Sequence, residues 1–445
     1  MNRRTFLKAA SSLAVLLPWA GRKAFAQSQP LYQGPFLLSL QADGGWDTTM
    51  FFDPKAPYND KPINKAYTLP ATQGVFQYAP VSFTQTINGV AMELHSPKRF
   101  LDSFQNRLLL LNGVDTQTNA HPVGTQFVWS GYVASAYPSI GALLATKASQ
   151  SLDLPCAYLV TSGGYTTTLG LVPVSRVSAA GMRNLAYQER FPGAADTDPP
   201  LFSSQMSQRI QQANDQRNQR LAQQLSMPES KDALARYNKA MLARSGLVPL
   251  VASLPSPSVT LGSLMDGVGT ANPDSINSVL QQAELALYGF LSGTTVSASI
   301  SLGGFDTHSN NDATQLIRLG YLFVVLDYVL NKAAELGLSD KLYVVVGSDF
   351  ARTPAYNVNN GKDHWNPTSL MVFGPNVQGG RVLGATAANQ YPDYVDPNNP
   401  AQLLPQGSGG IVLKPSHIHH ELRRVLGLTN FDSAYPLLDT DIRLF

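Results

Sequence analysis

The feature that most limits the fold is a strand, a long helix and a second strand in direct succession. "VSASISLGGFD" is a short apolar run ending in a double glycine. "DATQLIRLGYLFVVLDYVLNKAAELGL", 312 to 338, keeps helical spacing from an Asp cap to Gly337, and "KLYVVVGSDF" is again a β-branched apolar run. That succession is a βαβ unit, whose two strands lie parallel in one sheet. Further runs of the same kind are "PFLLSLQADGG" near 36 to 45, "NRLLLLNGVD" near 106 to 115, "PCAYLVTSGG" near 155 to 164, and "SLMVFGPN". Continuous apolar runs suit strands covered on both faces. The expected fold is therefore α/β, with a mostly parallel central sheet flanked by helices.

A different texture occupies about 165 to 275. The loop "RFPGAADTDPPLF" precedes a Gln-rich polar helix, "SSQMSQRIQQANDQRNQRLAQQL", and a second helix around "SKDALARYNKAMLARSG". This reads as a helical insertion or cap on a single α/β domain spanning 27 to 445. "YPDYVDPNNPAQLLPQGSGG", 391 to 410, reads as a long loop before the last helix, "SHIHHELRRVLGL". No repeat of 20 to 50 residues is evident.

The first 26 residues stand apart from the fold. Arg3-Arg4-Thr5-Phe6-Leu7-Lys8, a short apolar stretch and Ala24-Phe25-Ala26 resemble a bacterial twin-arginine (Tat) export signal, too short in its apolar part to span a bilayer. A periplasmic or extracellular protein is expected, with the Tat translocase as its partner during export and no stable membrane span. Removing the signal takes away five of the 32 basic residues and none of the 30 acids, moving the formal charge from +2 to about −3. Nucleic acid is not an expected partner. The single cysteine, Cys156, excludes an internal disulfide and a Cys-based zinc site.

In open α/β sheets ligands bind beyond the carboxyl ends of the strands. Four such ends carry suggestive groups. In "ADGGWDTT", Asp43 and Asp47 flank a double glycine, forming either a turn or a place where backbone approaches an ion. "GGFDTH" repeats that layout and adds a histidine, so Asp306 and His308 are a ligand pair or a capped turn. Carboxylate plus imidazole suits zinc, manganese or iron. In "VVVGSDFART", Asp349 precedes Arg352 by three, an ion pair or an oxyanion clamp. In "GKDHW", Asp363 and His364 stand in a loop leading into a strand. Together these place three Asp and two His at separate strand ends that one sheet would gather to one edge.

"HIHHE", with His417, His419, His420 and Glu421, lacks the H-E-x-x-H order and reads as a solvated helix start capped by Ser416. There is no G-x-S-x-G elbow and no G-x-x-x-x-G-K-[ST] phosphate loop.

The order of twin-arginine signal, "GGWD", "NAHPVGTQFVWSG", "GGFDTH", "SDFART", "GKDH" and "LMVFGPNVQGGRVLG" resembles the exported family called domain of unknown function 1501. That family is similar to the alkaline phosphatase and sulfatase superfamily. The resemblance runs from about residue 36 to residue 430. It implies an exported metal-dependent hydrolase acting on a phosphate or sulfate ester, of a small molecule or a polymer. It implies one or two divalent ions, zinc first, with manganese or calcium as alternatives. By position, Asp47 with Asp349 would hold one ion, and Asp306, His308 and His364 the other.

Two departures from the family pattern matter. The family usually has Ser-His where this chain has Ala120-His121, and commonly Glu and then Gly where it has Asp349 and Ala351. Ala120 has no attacking atom, so Thr118 or Thr125 would substitute, or His121 would bind the anion or a metal. With Arg352, His121 and Thr118 are the candidate catalytic residues. The other reading is a non-catalytic binding protein on the same fold, its nucleophile lost.

Overall fold

Strand β1 (Phe36–Ala42) is buried along its whole length, and its side chains divide by the two-residue period of a strand. Phe36, Leu38, Leu40 and Ala42 enter one apolar cluster and Leu37 enters the other. The same division runs through β2 (Leu109–Asp115), where Leu110 goes one way and Leu109 and Leu111 the other. A central sheet with a core on each face follows from that alternation.

The computed structural model describes residues 32–445 apart from 88, 135, 161–163, 194–197, 244–245 and 266–275. Residues 1–26, expected to be an export signal, lie outside the described residues. Residues 31–445 form one compact unit.

The sheet is completed by β3 (Tyr158–Val160), β4 (Val174–Ser175), β5 (Ser297–Leu302), β6 (Leu342–Ser348), β7 (Pro367–Phe373) and β8 (Arg381–Leu383), in the spatial order β8-β2-β7-β6-β1-β5-β3-β4. Every neighbouring pair is parallel except those involving β7, which is antiparallel to both β6 and β2. The sheet is thus mixed and mostly parallel. The reversed strand has a consequence for the site: the segment that leads into β7 arrives at the edge where β1, β2, β5 and β6 end.

Helices α1 (His121–Ser130) and α2 (Ile140–Ser149) cover one face. Beyond the exposed helices α3 (Ser204–Gln224) and α4 (Pro228–Ala243), α5 (Ile276–Leu291) and α6 (Asn311–Glu335) cover the other, and α7 (Pro415–Val425) packs beside α1. Helix α6 is long and apolar enough to cross a membrane by length and composition, and 67% of its most apolar window is buried in the protein. Its cap is Asn310, in the left-handed region, and the expected cap Asp312 stands two residues later, in the first turn. In α3, Asn218 is the buried residue, bonded to Asn238 of α4 at 2.9 Å.

Two expectations are corrected. Residues 391–410 are not all loop, because Tyr394–Asp396 and Asn399–Leu404 pair as an antiparallel hairpin. The "HIHHE" helix start is buried rather than solvated: His417 and His419 are 3% and 2% exposed. The C-terminal segment covers it, with Lys414 Nζ on Asp439 Oδ1 at 2.7 Å and His420 Nε2 donating to Asp439 O at 2.9 Å. The cap is Lys414, not Ser416, whose hydroxyl bonds Asp439 instead.

Candidate metal centre

The turn after β1 is built for close approach. Gly44 and Gly45 have φ of +116° and +83°, and a Cβ on Gly44 would lie 2.5 Å from the backbone nitrogen of Asp306. Both conditions require glycine. The tight turn lets the Gly44 and Gly45 N–H groups donate to Asp349 Oδ1 at 3.1 and 2.9 Å. Gln41 Nε2 at 3.3 Å and Ser348 Oγ at 3.0 Å complete the shell of that oxygen. Asp349 is fully buried, and its other oxygen is bonded to His121 Nδ1 at the first residue of α1.

Three histidines share one pattern. His121 Nδ1 meets Asp349 Oδ2, His308 Nδ1 meets Asp363 Oδ1 at 2.9 Å, and His364 Nδ1 meets the carbonyl of Asn119 at 2.7 Å. An acceptor at Nδ1 draws the ring proton there and leaves Nε2 as a lone pair. All three Nε2 atoms turn toward Asp306 Oδ1, at 3.6 Å from His121, 3.2 Å from His308 and 3.5 Å from His364. His121, Asp306 and His364 each offer an atom within 4.8 Å of the others. His308 Nε2 is 2.9 Å from His364 Nε2, a contact between two lone pairs unless a proton or a cation lies between them. His121 Nε2 is buried with no hydrogen-bond partner.

Asp306 is held from behind by Arg352, whose Nη2 donates to Oδ1 at 2.7 Å. Arg352 is fully buried and spends its other donors on backbone: Nε on Gly45 O at 2.8 Å, Nη1 on Lys362 O at 3.0 Å, and Nη2 also on Gly44 O. It fixes three loops rather than offering a free fork to an oxyanion.

The charges act on one another. Asp349 and its hydrogen bond push the His121 imidazole up from the ordinary histidine range, against a smaller opposing effect of burial. Burial pushes His364 down, and the Arg352, His121 and His308 charges add to that. For Asp306, partial burial acts upward, but the hydrogen bond and charge of Arg352 and the neighbouring histidines outweigh it and hold the carboxyl below its usual range. Asp43 is raised by burial and by Asp349 beside it.

The expected residues therefore divide. Asp306, His308, His364 and, through His121, Asp349 come together. Asp47 does not join them: its Oδ1 accepts from Thr49 N at 3.1 Å and Thr49 Oγ1 at 2.6 Å, and its Oδ2 from Asn311 Nδ2 at 2.9 Å and from Lys362 Nζ at 2.7 Å. The Thr118 hydroxyl accepts from Ala120 N at 3.1 Å, and Thr125 lies buried in α1. Sequence reasoning passed over Lys362 and Asn119. The first carries no signal beyond its place in "GKDH", and the second contributes only a carbonyl.

No curated protein matches the chain. Among solved structures, the alkaline phosphatase from the Antarctic bacterium TAB5 is similar at 10% identity over 89% of this chain and 99% of that one, with a TM-score of 0.36. A Bacteroides thetaiotaomicron structure from work on glycosaminoglycan metabolism is similar at 9% identity over 89% of this chain and 73% of that one, with a TM-score of 0.37. The lipoteichoic acid synthase LtaP from Listeria monocytogenes is similar at 8% identity over 82% and 74%, with a TM-score of 0.32. The model of the family described as Protein of unknown function (DUF1501) matches residues 37–406, and the chain belongs to that family.

Proposed function

We propose that this protein is an exported, metal-dependent hydrolase acting on a phosphate or sulfate ester. The observation that supports the reading is the convergence of three imidazole Nε2 atoms on Asp306 Oδ1, each ring held by an acceptor at Nδ1. Metal-ligating histidines characteristically have such a partner on the second nitrogen. Three nitrogens and a carboxylate suit zinc better than calcium or magnesium, which take oxygen ligands. His121, His308, His364 and Asp306 would hold the ion. When bound, such an ion polarises an ester oxygen and makes water a better nucleophile at neutral pH.

The chain's own groups supply the rest. Arg352 holds the Asp306 carboxylate in place, and Asp349, Asp363 and Asn119 O aim the imidazoles. Ala120, at the N-cap of α1, gives no side-chain oxygen to a covalent route, and that helix end has no side-chain cap. An uncapped helix start favours an anionic substrate group.

The same Ala120, together with an Arg352 already committed to backbone carbonyls, favours a second reading in which the centre binds an anionic polymer without cleaving it. One experiment separates them: phosphate and sulfate esters offered to zinc- or manganese-loaded mature protein, beside a D306A control. Turnover lost in D306A supports the hydrolase. Metal bound with no turnover on either ester class supports the binding protein, and no bound metal defeats the hydrolase.

A further inference from the structure

Asp47 and Lys362 form an ion pair in which neither side chain is exposed at all, 2.7 Å apart. The pair lies on the loops that build the metal centre, Asp47 just after Gly44-Gly45 and Lys362 two residues before His364. A carboxylate offers about four lone-pair positions. Those of Asp47 are filled by Thr49 N, Thr49 Oγ1, Asn311 Nδ2 and Lys362 Nζ. Lys362 reaches Thr49 Oγ1 as well, at 3.4 Å, and lies 5.1 Å from the centre of the Tyr356 ring. Its backbone is used too: its N–H donates to Thr307 O at 3.0 Å and its carbonyl accepts from Arg352.

The other carboxylate expected to share an ion with Asp47 is equally committed. Oδ1 of Asp349 has donors on it from Gly44, Gly45, Gln41 and Ser348, and Oδ2 is bonded to His121. A divalent ion at Asp47 would require oxygen contacts of about 2.0 to 2.2 Å for zinc, at positions now held by hydrogen-bond donors and a buried ammonium. Displacing Lys362 would strand a desolvated charge, which costs several kcal/mol.

We infer that this chain has a one-ion centre in which the Lys362 ammonium takes the place of a second metal, neutralising Asp47 with a fixed charge. This rests on the metal-centre reading proposed above. One charge replaces two, and it is delivered by the chain rather than by metal supply.

The test is zinc titration of the mature protein, followed by native mass spectrometry and by competition with a chromophoric chelator. Wild-type protein is expected to saturate at one equivalent. The neutral pair D47N/K362M is expected to keep that equivalent with affinity within about threefold, whereas D306N is expected to weaken it by about 100-fold or more, as loss of a ligand does. Two equivalents in the wild type overturn the inference and leave the metal-centre reading standing. Loss of the single equivalent in D47N/K362M makes Asp47 a ligand and also overturns it. No bound ion in the wild type defeats the underlying reading, and this inference with it. If the double variant does not fold, the wild-type stoichiometry alone decides.

Discussion

Arg352 Nη2 lies 2.7 Å from Asp306 Oδ1, with the arginine wholly buried and the aspartate half exposed. The guanidinium is thus inside the protein and the carboxylate faces the site. Because the same fork also reaches Gly44 O, Gly45 O and Lys362 O, it ties the β1 loop, the β5 loop and the approach to β7. R352K keeps the charge but cannot span these acceptors. It is expected to destabilise the fold by about 2 to 4 kcal/mol in urea denaturation and to lower zinc affinity at the same time. An effect on affinity with unchanged stability would show that the arginine is not a tie between loops.

Asp363 separates orientation from stability more cleanly. It is well exposed, and its bond to His308 Nδ1 at 2.9 Å is joined by Asn357 Nδ2 at 3.2 Å. D363A would remove the acceptor that fixes the His308 tautomer and truncate only an exposed side chain. Zinc affinity is expected to fall by about 10- to 100-fold, the usual cost of losing such a partner, with stability changed by under about 1 kcal/mol. A chelator competition and a urea curve on the same sample check both.

Much of this candidate site is legible in the sequence because most of its residues follow strands whose apolar runs announce themselves. "GGFDTH" and "SDFART" end β5 and β6, and their residues meet. "GKDH" precedes its strand, and it reaches the same edge because β7 runs antiparallel, a direction no local pattern encodes. Asp47 misleads for a physical reason. "GGWD" and "GGFD" share a layout, but the second aspartate meets three imidazoles and the first meets a lysine. Lysine in a loop normally reads as solvated, and only tertiary packing buries Lys362. His417 and His419 fail in the same way, since what covers them is distant in sequence: Asp439 beside the His417 turn, and Val128 and Gly131 of α1 against His419.

Those two histidines give a pH dependence with a definite sign. Burial lowers His417 to about 4 and His419 to about 3. An unfolded histidine takes up its proton near pH 6.5, so below that the unfolded chain binds more protons than the folded one. Their contribution to stability is complete above pH 6.5 and is lost as pH falls toward the folded values. Each costs about 1.4 kcal/mol per pH unit in that window. His121, shifted upward by Asp349, acts in the opposite sense, its contribution being present at low pH and fading as pH rises above the unfolded value. Urea curves at pH 7, 6, 5 and 4 are expected to show falling stability from 6.5 downward. In H417Q, whose side chain can still accept the Lys414 N–H, the slope should fall by about one proton. An unchanged slope in that variant would place the titration elsewhere.

Gly361 tests how tightly the two histidine loops are joined. A Cβ there would lie 2.0 Å from the carbonyl carbon of His308 and 2.4 Å from Ser309 N, so the obstacle is backbone and cannot rotate away. The contact holds the 357–361 turn on the 308–311 segment, where Asn310 N and Asn311 N donate to Asn359 O and Asn360 O. G361A must push these segments apart, carrying Asp363 and His364 away from His308. A loss of about 1 to 3 kcal/mol of stability is expected, as for overpacking elsewhere, together with weaker zinc binding. Gly303, with nothing within 4 Å of a Cβ and no positive φ, is the matched control in the β5 loop. G303A should leave zinc affinity unchanged and raise stability by about 0.4 to 1 kcal/mol, because alanine narrows the unfolded ensemble. If both alanines behave alike, contact between the His308 and His364 loops is not what sets the ligand geometry.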